Sequence, residues 1–155
     1  MKKIYLIFGY VIYIILKPII YLLLNKSKRN RVAIIYKDQV LMVKSLISDN
    51  KWGFPGGGIK KNEDHILAVK REVYEETGIS LNDVNIAKIS DQEFKYLFIK
   101  IFLIFYKIKL KSKPKVSIIK KFEVIDAKWF RINDLINNPK MIEDQSIYFI
   151  EQLKD

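Results

Sequence analysis

The sequence predicts an α/β sandwich built on a mixed sheet. Three observations carry this. The 155 residues make one ordinary domain with room for one core. Short β-branched runs recur, among them Arg31 to Tyr36 (RVAIIY), Val40 to Lys44 (VLMVK) and Glu123 to Ile132 (EVIDAKWFRI). A helical pattern, Asn62 to Thr77, lies between them and is closed by Gly78, a residue type favoured just past a helix end. Strands and helices mixed in this order argue for helices layered on a sheet.

The first element is apolar. Ile4 to Leu24 contains fourteen Ile, Leu, Val or Phe among 21 residues, and as a helix it would reach roughly 30 Å, the thickness of a bilayer core. Those side chains favour insertion by several kcal/mol, against roughly +3 kcal/mol for Lys17. Pro18 adds a kink of the kind membrane helices tolerate. The expected reading is a transmembrane anchor over residues 1–30 with its basic flank, followed by a folded domain over 31–155. Lys26, Lys28, Arg29 and Arg31 outweigh Lys2 and Lys3, which places that domain in the cytoplasm. Two alternatives stay open. A signal peptide would share the early charges, although no small-residue cleavage site follows. A packed helix of a soluble cytoplasmic protein would share the hydrophobicity, although the segment lacks a single apolar stripe.

The remaining elements follow in order. Lys37 to Gln39 reads as the turn of a hairpin between the first two strands, and Ser45 to Lys51 as a loop. Trp52 to Gly58 (WGFPGGG) is a glycine-rich turn, and Val84 to Ser90 a strand. Lys95 to Leu110 is apolar and too long for one simple strand, so one long or bent central strand is expected. Asn133 is expected to cap a short helix, with a last helix from Ile142 to Leu153.

Composition narrows the function. The absence of cysteine excludes disulfides, thiolate metal sites and cysteine nucleophiles. The net charge of +11 is concentrated at the start: residues 1–31 hold seven Lys or Arg and no acid. The rest carries 21 basic and 17 acidic residues, a mild excess that suits anionic small molecules or an anionic membrane surface. It is too weak and diffuse to indicate a stable nucleic-acid partner.

The chemistry is concentrated between Gly57 and Ile79. Glu72, Glu75 and Glu76 are spaced i, i+3 and i+4 and share one helix face. Like charges this close repel and raise at least one carboxyl pKa. Magnesium, which prefers carboxylate oxygens shared with substrate phosphates, is a natural partner. Arg71 has the planar fork that holds a carboxylate in place. Glu63, near the helix start, reads as a structural acid paired with Arg71, and Gly56, Gly57 and Gly58 permit close backbone approach. A bare cluster of this kind is also found as a solvated acidic surface.

The full spacing, Gly57, Glu63, Arg71-Glu72, Glu75-Glu76 and Gly78 with Val73 and Ile79 at the aliphatic positions, resembles the Nudix box, G-x5-E-x7-R-E-U-x-E-E-x-G-U. The resemblance covers roughly residues 31–155 and leaves the apolar segment outside. It implies the Nudix fold, an α/β/α sandwich, and hydrolysis of a pyrophosphate bond in a nucleoside diphosphate derivative. It implies Mg²⁺, with Mn²⁺ as a substitute, on Glu72, Glu75, Glu76 and the main chain at Gly57. Arg71, Glu72, Glu75 and Glu123 are the expected catalytic residues, and the general base is left open between the box and Glu123. Trp52 and Phe54 could stack on a base or pack in the core. Tyr96 lies 17 residues past Ile79, a spacing associated with dinucleoside-polyphosphate hydrolases, but with nine tyrosines in the chain coincidence is the favoured reading. His65 reads as an exposed first-turn residue. Lys107, Lys109, Lys111, Lys113 and Lys115 alternate as on one strand face or edge, either guarding an edge or meeting lipid headgroups. The alternative from another class is a catalytically silent, membrane-tethered Nudix module that binds or senses nucleotides.

Overall fold

The computed structural model describes Ile19, residues 26–96 and residues 99–153. The expected apolar anchor, residues 4–24, lies outside the described residues save for Ile19. Among the described residues no helix is long and apolar enough to cross a membrane.

Five strands form one mixed sheet: β1 (Ser27–Tyr36), β2 (Gln39–Ser45), β3 (Ala87–Tyr96), β4 (Ile99–Lys109) and β5 (Val124–Arg131). Their order is β3-β4-β1-β2-β5, with β1 parallel to β4 and the other neighbours antiparallel. Side chains alternate across each strand. Val32 and Ile34 of β1, Leu41 of β2 and Ile104, Tyr106 and Ile108 of β4 face helix α1 (His65–Thr77) through Val69 and Val73. Ala33, Ile35, Met42, Leu103 and Phe105 face the opposite way, toward α2 (Ile132–Asn137) and α3 (Asp144–Ile150). There Phe105 stacks on Phe149 with centroids 4.1 Å apart. Helices cover both faces, as the α/β/α expectation required.

Several boundaries differ from expectation. β1 starts at Ser27, four residues early, so residues assigned to the membrane flank belong to the sheet. The run Lys95 to Leu110 is not one strand. Tyr96 ends β3 and Ile99 begins its antiparallel neighbour, with those two residues in register. The expected strand at Val84 starts instead at Ala87. Helix α2 begins one residue before Asn133, and its N-cap, Arg131, makes no side-chain cap hydrogen bond. The last helix is shorter than expected and passes at Glu151 into a 3₁₀ turn. Of the alternating lysines, only Lys107 and Lys109 lie on a strand, and β4 is internal to the sheet. They therefore do not line an edge.

One irregularity positions the site. β1 and β2 are in register only at Ile35–Val40 and Tyr36–Gln39. Beyond that they splay, and the glycine-rich segment enters between them. Val43 and Gly53 exchange backbone hydrogen bonds at 2.9 and 2.8 Å on the β2 side. On the β1 side, Val32 N donates to Pro55 O at 2.8 Å and Asn30 N to Gly57 O at 2.9 Å. The inserted segment satisfies strand edges that would otherwise be orphaned, and it brings Gly56 and Gly57 against α1.

Candidate active site

Helix α1 is built to stay in place. Asp64 caps it, its side chain accepting from Ile66 N and Leu67 N at 2.8 and 3.0 Å. Gly78 ends it with φ 70°, its N–H donating to Tyr74 O. The buried face carries Ala68, Val69, Val73 and Thr77, and with them Glu72 and Glu76. Glutamate is rarely buried unless it is paired, so these two mark the functional end of the helix.

Arg71 organises the cluster. Its Nε and Nη2 donate to the two oxygens of Glu63 at 2.7 and 2.8 Å. Nη2 also donates to Gly58 O at 3.0 Å, and Nη1 to Glu72 Oε1 at 2.6 Å and Glu75 Oε2 at 3.3 Å. The hydrogen bond from Arg71, supported by Lys60 N–H, holds the Glu63 carboxyl down to about 2. The expected Glu63–Arg71 pair is therefore present and ties the start of the motif to its centre.

Glu76 turns away from this group. Its Oε2 accepts from Gly56 N at 2.8 Å. Burial pushes its carboxyl up to about 7, with the Gly56 N–H and Arg31 opposing and the charges of Glu72 and Glu123 reinforcing. Glu75 is held below the usual carboxylate range: burial would raise it, but the hydrogen bond and charge of Lys120, with Arg71, prevail. Two of the glycines are needed sterically. A Cβ on Gly57 would sit 2.6 Å from the Glu72 carboxyl carbon. Gly56 has φ 138°, and a Cβ there would sit 2.4 Å from Asn30 O. A Cβ on Gly58 would meet nothing within 4 Å.

A cleft of about 410 Å³ opens beside the cluster, its lining including Arg29, Arg31, Phe54, Glu76, Phe122 and Glu123. Glu72 and Glu75 lie outside that lining and are joined to it through Lys120, which contacts both of them and Glu123. The structure thus brings Arg71, Glu72, Glu75 and Glu123 together around Lys120, with Gly57 against Glu72 and Glu76 alongside on Gly56 N. Among the described residues no three acidic or histidine side chains stand, as they are, close enough together to hold a metal. Phe54 is fully buried and lines the cleft while packing edge-on against Phe105. Trp52 does not line it. Its ring packs against Phe130 at 4.8 Å beneath the ammonium of Lys44. Tyr96 is placed at the end of β3, and its side chain lies outside the description. His65 is the exposed first residue of α1.

Four residues of this region escaped the sequence reading. Arg29 and Arg31 share the β1 face of Ala33 and Ile35 and line the cleft. Arg31 donates to Gly56 O at 2.7 Å. Burial, with the neighbouring Arg31, lowers the Arg29 guanidinium to about 10. It makes no hydrogen bond or salt bridge to the described residues. Phe122 is 94% exposed at the cleft wall, and Lys120 sits among the carboxylates. The two arginines had a signal, their alternation into the apolar run of β1. Lys120 had none, being one of many lysines.

Comparison with known proteins decides the family. A model described as the NUDIX domain matches residues 26–153. The chain belongs to the Nudix hydrolase family. The Nudix relatives include an RNA pyrophosphohydrolase of Pasteurella multocida, 38% identical over 110 residues, covering 71% of this chain and 49% of that protein. Another is an 8-oxo-dGTP diphosphatase of Buchnera aphidicola, 33% identical over 81 residues, covering 52% of this chain and 64% of that one. The chain thus spans about half the length of the first and under two thirds of the second. The Nudix fold itself is matched by a crystal structure of a MutT NUDIX hydrolase from Burkholderia pseudomallei, TM-score 0.71 at 20% identity, over 83% of this chain and 98% of that one.

Proposed function

We propose that the protein is a divalent-metal-dependent pyrophosphohydrolase that cleaves a phosphoanhydride bond in a nucleoside di- or triphosphate derivative. The observation that carries this reading is the burial of Glu72 and Glu76 on one helix face, against a glycine turn whose Cβ-free backbone makes room for a carboxyl. The donor chemistry is that of an Mg²⁺ site, and the carboxylates would have to close in from their present positions to form one. Glu72, Glu75 and Glu123 already converge on a single cationic atom, Lys120 Nζ, at 3.8, 2.6 and 3.5 Å. Gly57 O accepts one hydrogen bond and has a second lone pair free. Oxygen donors of this type suit a hard cation.

In this mechanism Glu72, Glu75, Glu76 and the Gly57 carbonyl would hold the metal, whose chemistry would be to polarise the phosphorus and neutralise the leaving phosphate. Arg71, anchored by Glu63 and Gly58 O, keeps Glu72 and Glu75 oriented. Arg29 and Arg31 supply cationic wall for the substrate phosphates. Phe122 offers apolar surface to the base. A carboxylate, from the helix or from Glu123, accepts the proton of the attacking water. Residues 4–24 are read, on their sequence alone, as a tether that holds this domain at a membrane.

A substrate panel starts with RNA and 8-oxo-dGTP, the compounds in the relatives' names. Release of phosphate or pyrophosphate is measured with Mg²⁺ for the parent and for Glu76→Gln. Metal-dependent release by the parent, reduced at least about 100-fold in the variant, is the expected result; a loss of that order is typical when one electrostatic group is removed from a transition-state site. Nucleotide binding by the parent without any release would instead establish the silent binding module.

A further inference from the structure

We propose that Lys120 is a built-in counter-ion that competes with the divalent metal for the glutamates of α1, so that loading the metal has to expel it. The inference rests on the metal-dependent reading above. Lys120 Nζ lies 2.6 Å from Glu75 Oε2, 3.8 Å from Glu72 Oε2 and 3.5 Å from Glu123 Oε2. Its ammonium is a compact point charge, nearer in kind to a metal ion than a guanidinium is. It sits where those carboxylates converge.

The main chain puts it there. Lys120 N donates to Glu75 O at 2.8 Å, and Lys120 O accepts from Glu123 N and Val124 N at 3.1 and 3.0 Å. The residue is thus fixed to the last turns of α1 on one side and to the start of β5 on the other. Arg71 takes Glu72 Oε1 at 2.6 Å, shares Glu75 Oε2 with Lys120 at 3.3 Å, and is otherwise committed to Glu63 and Gly58 O. Lys120 takes the other Glu72 oxygen and the nearer approach to Glu75. Lys120 is thus the closer cation to Glu75 and the one on Glu72 Oε2, so it occupies carboxylate oxygens that a metal would compete for. The lysine does not contact Glu76, whose carboxyl is occupied by Gly56 N–H.

An ammonium and a divalent cation cannot share these oxygens without strong repulsion. Metal binds only the fraction of molecules whose lysine has left, so the apparent affinity falls by that fraction. Lys120 thereby sets the metal concentration to which the enzyme responds, and it keeps the acidic cluster neutralised when metal is scarce.

The test is Mn²⁺ binding to the full-length chain, read from the electron paramagnetic resonance of free Mn²⁺, without substrate. The variants are Lys120→Met, Lys120→Gln, Lys120→Arg and, as a control, Lys121→Met. Loss of the ammonium in either neutral variant should tighten Mn²⁺ binding about tenfold, the scale of one charge-assisted hydrogen bond. Lys120→Arg and Lys121→Met should bind as the parent does. Neutral variants that bind Mn²⁺ no more tightly than the parent overturn the proposal. If parent and variants alike bind no Mn²⁺, the metal reading beneath it falls as well, which separates the two failures.

Discussion

Glu76 is where burial and charge conflict most sharply. Its carboxyl rises to about 7 because burial disfavours the ionised form. In the unfolded chain it titrates near 4.5. Below that value both states hold the proton and nothing is lost. Between about 4.5 and 7 the unfolded state gives up its proton first, so the metal-free fold weakens as pH rises, by about 3 kcal/mol in all. Glu76→Gln removes the charge and can keep the hydrogen bond from Gly56. Urea midpoints of the metal-free proteins should therefore diverge in favour of the variant between pH 5 and 8; a constant gap would contradict the burial argument. The glycines separate in the same way. Gly57→Ala drives a methyl into the Glu72 carboxyl and should remove activity in a folded protein. Gly58→Ala, with open space around it, should change activity less than about twofold, since a surface substitution is worth within ±0.5 kcal/mol. At this scale the sequence was informative about the box residues, because i, i+3 and i+4 spacing is a local rule. It could not indicate Lys120, whose place depends on a turn 45 positions after Glu75, nor that Arg29 and Arg31 face a cleft.

Elements were legible where local chemistry punctuates them. Helix α1 has an acidic cap and a glycine stop; Gly78 lies where expected, and the helix starts at His65, three residues after Asn62. Asp64→Ala should cost about 1 kcal/mol, the usual value of an N-cap side chain, seen as a lower melting temperature with Mn²⁺ affinity nearly unchanged. A drop in Mn²⁺ affinity as large as that of Glu72→Gln would mean the cap also positions the carboxylates. The misreadings occurred where punctuation is absent. The run from Lys95 to Leu110 contains no glycine, proline, asparagine or aspartate, so nothing in it announces that β3 ends at Tyr96. Asn133 had the right chemistry for a cap, yet α2 starts one residue earlier, directly off β5.

Across the whole molecule, mixed strand order and helices on both faces followed from the alternation of patterns along the chain. The splaying of β1 and β2 did not, because a hairpin with two alternating strands predicts full pairing. The insertion of Trp52 to Gly58 between them is a tertiary choice, driven by backbone groups of both strands that need partners. That insertion makes the cleft, turns Gly56 and Gly57 toward α1, and converts two arginines of a basic flank into its wall. The basic start of the chain accordingly divides, among the described residues, into Lys26 and Lys28, which do not line the cleft, and Arg29 and Arg31, which do. The central claim is that the acids of α1 and the glycine turn together form one divalent-metal site. A crystal soaked in Mn²⁺ and measured at the manganese absorption edge tests it directly. The account predicts an anomalous peak within coordination distance of the Glu72, Glu75 and Glu76 carboxylates and Gly57 O, with the Lys120 ammonium displaced. A peak only elsewhere, or none at saturating Mn²⁺, would contradict it.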